Sequence, residues 1–382
     1  SIVISPLKRL QTNQVTEITE AFGLSAISIN EDTPDDGKSW KMIEKHRYRL
    51  WIISPEQLGS HNGHLARFAN LLDSQASFRE MIRYLHIDEG HNIWSAGIPR
   101  YGEKAFRPAY GCLGKMRAIL GNKTVFQLLS AMFPCHVLAA AKLSIDMAPD
   151  VTVFQGPLLR SNLAFATMPL IGNLENFSNL DFLTPMVYDP AKPVPKTLVF
   201  VDNRSLADRI AVYLNNNSPS VLRNRGFARH YHSGMSREYL DSTYEAFASP
   251  DGNCKILVAT SGAATGIDIR DVTTVVQYGI CPNMADALQR GGRAGRDDKI
   301  SALFLTMIED WVYEFEISEL DDSADPDVPV NTKLPGKDSR VGRCAVRYAQ
   351  TKTCLRKFWA IYLGDESAAG LISACLSSPH RS

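Results

Sequence analysis

Leu85-His86-Ile87-Asp88-Glu89-Gly90-His91 is an apolar run that stops abruptly on two carboxylates and a histidine. Residues 81–87 read as a buried strand that delivers Asp88 and Glu89 to its C-terminal edge, where open α/β sheets bind ligands. In a nucleotide-hydrolysing site, one carboxylate so placed holds Mg²⁺ through water. The next orients and deprotonates the attacking water. Far along the chain stands Gln289-Arg290-Gly291-Gly292-Arg293-Ala294-Gly295-Arg296-Asp297. On a helix, Arg293 and Arg296 are i, i+3 neighbours and face one partner. Their planar guanidinium forks match phosphate oxygens. Glycines 291, 292 and 295 are poor helix formers, which points to close approach of a neighbouring domain as their purpose.

Working outward, the chain alternates short apolar strands with helical segments, the pattern of parallel α/β domains. Residues 1–5 form a strand stopped by Pro6, and Leu7, Leu10, Gln14 and Ile18 follow in helical rhythm. Further strands are expected at 48–53, 125–129, 151–154, 196–201, 255–260, 272–278 and 301–306. Ser205 or Asp202 is expected to cap the helix that runs to Leu214. Asp35-Asp36-Gly37-Lys38-Ser39 ends like a phosphate-binding loop, but the first glycine of that motif would fall on Asp32. It reads as an acidic surface loop, so no ATP-cradling segment is visible. Residues 164–195 read as an irregular connection, 311–340 as an acidic linker and 341–382 as a helical tail.

Composition narrows little. Of 382 residues, 45% are hydrophobic and 21% charged, with 41 basic against 41 acidic. A neutral balance neither requires nor excludes nucleic acid, because a basic groove can be offset elsewhere. The seven cysteines are scattered with no Cys-x-x-Cys pair, which suits a reducing compartment. The most apolar window, 125–145, is broken by Gln127, Pro134, His136 and Lys142, so no membrane span is expected. The immediate entry into a strand at Ser1 reads as an N-terminally incomplete fragment.

In this order the motifs resemble those of superfamily 2 helicases, and with the segments around them the chain resembles the RecQ-like DNA helicases. The resemblance covers roughly residues 1–365. It rests on Asp88-Glu89-Gly90-His91, Phe106-Arg107-Pro108-Ala109-Tyr110, Thr260 to Asp268 and Gln289 to Asp297. It implies two RecA-like parallel-sheet α/β domains in tandem (1–163 and 196–310), plus a short helical C-terminal remnant. It further implies ATP and Mg²⁺ as cofactors, with single-stranded and duplex DNA as partners and 3′ to 5′ translocation driven by hydrolysis.

Residue by residue, the resemblance makes Asp88, Glu89, His91, Gln289, Arg293 and Arg296 catalytic, with Asp88 on Mg²⁺ and the arginines as fingers. Gly266 and Asp268 would join the arginines on the nucleotide side. Ser5, Pro6, Arg107, Arg204, Thr260 and Thr265 would meet the nucleic acid. In the aromatic loop, Phe106 and either Trp94 or Tyr101 would stack on bases, a sequence-tolerant contact of about 1–3 kcal/mol per base. Met132 stands where the family has a threonine, which predicts weaker coupling. Cys354 matches the first ligand of the family's zinc subdomain, but the three clustered cysteines that should follow are missing. A four-coordinate structural zinc is therefore not expected. Family membership would place the protein in the nucleus, in DNA repair and recombination. Two rivals stand beside this reading: an RNA helicase, since the superfamily shares these motifs, and a catalytically inactive relative that binds nucleic acid. Without a phosphate-cradling loop, the 382 residues alone are expected to hydrolyse ATP poorly.

Overall fold

Two parallel sheets organise the chain in a computed structural model that describes residues 1–61, 64–223, 225–260, 267–316, 325–330 and 340–367. The chain divides into two units, Ser1–Gln155 and Gly156–Ser382. The main sheet of the first has five strands: β1 (Ile2–Ile4), β2 (Ala26–Ile29), β3 (Leu50–Ile53), β4 (Tyr84–Ile87) and β5 (Val125–Leu128). They are ordered β2-β3-β1-β4-β5, every pair parallel. β1 sits centrally, with Ile2 opposite both Trp51 and Leu85 and Ile4 opposite both Ile53 and Ile87. These side chains are buried on a sheet covered by helices, so the strands read as apolar runs. Helix α1 (Lys8–Phe22) follows β1 and ends on Gly23 in the left-handed conformation. Helix α2 (Gly37–Glu44) lies between β2 and β3.

The second unit holds β6 (Leu163–Pro169), β7 (Lys196–Val201), β8 (Ala228–Tyr231), β9 (Ile256–Thr260), β10 (Val272–Tyr278) and β11 (Ala302–Ile308). Their order is β8-β9-β7-β10-β11-β6, again all parallel. Its helices include α3 (Arg204–Asn216), α4 (Arg237–Ala248), α5 (Met284–Gly291), α6 (Arg343–Gln350) and α7 (Leu355–Leu363). The two-domain parallel α/β architecture is that expected from sequence.

Several expectations need correction. The first unit gives way at Gln155 rather than at 163, because β6 pairs along its whole length with β11 and so belongs to the second sheet. The span 164–195 is consequently not all irregular. It contains most of β6 and a 3₁₀ helix, Phe177–Leu183, anchored by fully buried Leu180. No strand forms at 151–154, where Phe154 is 94% exposed and has no sheet edge to join. Residues 37–39 begin α2 and are not loop: Asp36 caps it by accepting from Ser39 N–H, while Trp40 and Ile43 anchor it. Asn203, not Ser205 or Asp202, caps α3.

The span 311–340 is only partly linker. Part of it lies outside the described residues, but Asp327 is buried, accepting from Met284 N–H and the Tyr362 hydroxyl. The tail helices likewise belong to the second unit. Trp359 of α7 packs on Phe165 of β6 with ring centroids 5.9 Å apart, and Arg356 donates to the carbonyls of Arg160 and Leu163.

Candidate functional site

The loops after β1, β3, β4 and β5 all leave the same edge of the first sheet, and that edge collects the candidate residues. Asp88 follows β4, and its N–H bonds the Ile4 carbonyl. One carboxylate oxygen accepts from Glu89 N–H at 2.9 Å and the other from Gln14 Nε2 of α1 at 3.1 Å. Glu89 has φ +50°, a left-handed conformation that costs a non-glycine residue about 1–2 kcal/mol. The carboxylate it projects is one-quarter exposed and lies 3.3 Å from His91 Nδ1.

His91 is almost wholly buried, and the same nitrogen is 2.9 Å from Ser130 Oγ. The Ser130 hydroxyl donates to the Met132 carbonyl at 2.7 Å, which leaves its oxygen to accept from His91 Nδ1–H. Glu89, His91 and the segment after β5 are thus joined in one chain. Met132 enters it through its backbone, with its side chain buried. The hydroxyl absent from position 132 has no part in this contact. At Gly90 a Cβ would stand 2.9 Å from the Phe133 ring, so the turn that holds the carboxylate pair closes directly onto that side chain.

Gln11, which the sequence reading did not assign, and Gln14, read there only as part of the helical rhythm after Pro6, are spaced i, i+3 on α1. Gln11 is fully buried and donates to the Ser5 carbonyl (2.9 Å) and Ser54 Oγ (3.0 Å) while accepting from Asn30 (2.8 Å). It ties three loop starts together. The visible signal was two glutamines on one helix face, ambiguous without knowledge of what that face meets.

Among the expected nucleic-acid residues, Phe106 is 91% exposed and free to stack. Arg107 is engaged: Nε and Nη2 hold Glu56 at 2.7 and 2.9 Å, and Nη1 reaches the Pro6 carbonyl. It links the loops after β1 and β3 to the aromatic loop. Burial pushes the Glu56 carboxyl up, but the Arg107 fork more than offsets it, and the net pKa lies below the ordinary value. Trp94 is not presented for stacking: it is buried, lies under Arg100 at 3.6 Å and meets His136 edge-on. Tyr101 is the more exposed of the two candidates, at 38%. Ser5 and Pro6 are both buried, so that loop presents backbone rather than the serine hydroxyl.

In the second unit α5 ends at Gly291, so Arg293 and Arg296 lie in the turn beyond it and do not share a helical face. Arg293, largely buried, donates to the Ile267 carbonyl at 3.0 Å, and Arg296 pairs with Asp268. Gln289 is half-buried on α5. A Cβ on Gly291 would stand 2.6 Å from the Phe304 ring of β11, so this glycine serves the approach of helix to sheet within its own domain. The turn itself is fastened by the segment before β6. Arg160 donates to the carbonyls of Gly292 and Gly295, both at 2.7 Å. Asn162 donates to those of Gly295, Asp297 and Ile300.

Arg290, also not assigned from sequence, is buried and bonds Asp202 at 2.9 Å and Gln277 at 2.7 Å. Burial opposes its charge, yet nearby anionic groups, Asp202 among them, hold its pKa above the ordinary value. Arg204 opens α3 in an exposed position, and Thr260 closes β9 half-buried. Thr265 and Gly266 lie outside the described residues. Cys354 stands at the N-terminal cap of α7, and among the described residues no cluster of metal-binding side chains includes it.

Comparison with known proteins bears on the fold. Residues 179–298 match the helicase conserved C-terminal domain. The ATP-dependent DNA helicase RecQ of Bacillus subtilis is 26% identical, covering 98% of this chain and 57% of its own. The ATP-dependent DNA helicase Q5 of Mus musculus is also 26% identical, covering 79% of this chain and 29% of its own. The chain therefore spans well under two thirds of these relatives. Among solved structures, the Mycobacterium smegmatis helicase Lhr bound to ssDNA and AMP-PNP superposes with a TM-score of 0.52 at 21% identity, over 80% of this chain and 39% of that one. Among the described residues, no helix is long and apolar enough to cross a membrane. The chain shares the fold of this solved helicase, carries a match to the helicase conserved C-terminal domain and is similar in sequence to RecQ-family helicases.

Proposed function

We propose that this chain forms the motor of an ATP-dependent DNA helicase that tracks single-stranded DNA 3′ to 5′ and separates the duplex ahead of it. The observation that carries the reading is the linked chain Glu89–His91–Ser130 at the sheet edge that also bears Asp88. Asp88 offers hard carboxylate oxygens of the kind Mg²⁺ takes, and it would hold the ion through water. Bound Mg²⁺·ATP supplies the scissile phosphoanhydride and neutralises its developing charge. Glu89 takes the proton of the attacking water. His91 holds that carboxylate in place and passes its position to the segment after β5. Gln14 keeps Asp88 from turning away. In the second unit, the turn that carries Arg293 and Arg296 is held by Arg160 and Asn162. On the nucleic-acid side, exposed Phe106 stacks on a base, and Arg107 keeps the loops after β1 and β3 in register with it.

The test is ATP turnover by the protein expressed from its complete transcript, with and without single-stranded DNA, beside strand separation on substrates with 3′ or 5′ overhangs. DNA-stimulated turnover, lost in Glu89→Gln while DNA binding persists, and unwinding only from a 3′ overhang support the proposal. DNA binding without any turnover would make the protein a relative that binds without driving. Equal or better stimulation by RNA would assign it to RNA.

A further inference from the structure

At the C-terminal end of β8 three nitrogen and oxygen donors converge, close to Arg204. Asp208 comes from α3, His230 from β8, and His232 follows immediately after the strand. One ligand atom from each lies within 4.8 Å of the other two. Residues two apart on a strand point to the same side, and the two imidazoles stack with centroids 5.5 Å apart. His232 Nε2 is 2.8 Å from Asp208 Oδ1, and His230 Nδ1 is 3.7 Å from the same oxygen.

The protons sort in a way that leaves room for a cation. His230 Nε2 faces the Met235 thioether at 3.2 Å. Sulfur there is only an acceptor, so Nε2 carries the hydrogen and Nδ1 turns a lone pair toward the Asp208 carboxylate. Lone pair and carboxylate repel unless positive charge stands between them. Tyr239 stacks on His230 at 5.0 Å and fixes its plane. His232 Nδ1 accepts from Gly234 N–H at 3.2 Å. Coordination through Nε2 would move the ring proton to Nδ1 and give up that long bond. The loss of one long hydrogen bond is small beside the free energy of metal ligation.

We propose that Asp208, His230 and His232 form a binding site for a divalent cation of the zinc class. Two imidazoles and a carboxylate are a donor set that Zn²⁺ takes, with bonds of about 2.0–2.2 Å. Tetrahedral geometry then sets ligand atoms roughly 3.4 Å apart, and the observed 2.8 and 3.7 Å bracket that spacing. The fourth position is left to water. A bound ion cross-links the loop after β8 to α3.

The experiment uses the purified 382-residue chain, stripped with chelator and titrated with Zn²⁺ against a chromophoric chelator, then with Co²⁺ for its visible spectrum. One ion per chain is expected, with a Co²⁺ spectrum lacking thiolate charge-transfer bands and a rise in melting temperature on Zn²⁺ addition. His230→Gln and Asp208→Asn, each checked for fold by circular dichroism, should weaken binding at least about tenfold and abolish the thermal shift. Cys354→Ser should leave both unchanged. No stoichiometric binding overturns the proposal. So does binding that survives both site variants, or binding that disappears in Cys354→Ser.

Discussion

Replacing Gly291 by alanine sets two effects of known sign against each other. Gly291 is the last residue of α5, and alanine there gains helix propensity worth at most about 1 kcal/mol. The added methyl would stand 2.6, 2.7 and 3.0 Å from Cδ1, Cγ and Cε1 of Phe304. Phe304 is fully buried on β11 and meets Phe165 edge-on at 6.3 Å, so its ring has no open space to enter. The helix end must retreat or the ring must leave its rotamer, an overpacking cost of about 1–3 kcal/mol. The steric cost exceeds the helical gain, and a net destabilisation of roughly 1–2 kcal/mol follows. For a unit of this size that lowers the melting temperature by about 2–8 °C. Urea and thermal unfolding of the purified chain, followed by circular dichroism, measure it. Gly37→Ala is the control: at the start of α2 its Cβ meets nothing within 4 Å, and stability should hold or rise slightly. Phe304→Leu combined with Gly291→Ala should recover part of the loss. If Gly291→Ala is as stable as the parent, the close helix–sheet approach is not what this glycine serves.

Other outcomes follow from the same structure. Arg290→Met removes the cation facing Asp202 and Gln277. Because Asp202 keeps some access to water, the expected loss is about 2–4 kcal/mol, at or below the usual cost of breaking a buried pair, read by urea unfolding. Glu56 has a folded pKa below its unfolded value. Its pairing with Arg107 therefore contributes above the ordinary carboxylate pKa near 4.3 and is lost as pH falls through the lowered value. The pair is partly exposed, so Glu56→Gln should cost only about 0.5–1 kcal/mol at pH 7, a gap that closes in melts run toward pH 3. Burial pushes the Cys254 and Cys281 thiols up to about 12, whereas Cys112 and Cys135 are exposed. Alkylation read by mass spectrometry should label Cys112 and Cys135 in the native protein and reach Cys254 and Cys281 only in denaturant.

The local chemistry was legible in the chain itself. Apolar runs buried on both faces of a sheet are visible as runs, and an acidic pair at the end of one stands out in the sequence. Hence the strands at 84–87, 196–201 and 272–278, the two parallel domains and the carboxylate pair could all be read without coordinates. Strand Leu163–Pro169 could not be, because its two alanines and closing proline give little strand signal and it is its full-length pairing with Ala302–Ile308 that fixes it. The same limit hid the bonding partners of Gln11, Gln14, Arg160 and Asn162. A buried amide that bonds a distant carbonyl looks, in sequence, like any surface polar residue. Position along the chain also misled in the arginine motif, where i, i+3 spacing suggested one helical face but the helix stops at Gly291. It could not choose between Trp94 and Tyr101, because composition cannot tell which ring is packed beneath a guanidinium and which stands near solvent. Residue type and spacing determined the chemistry available to this protein. Long-range hydrogen bonds and close packing, which join residues far apart in the chain, decided which groups meet and which are left free.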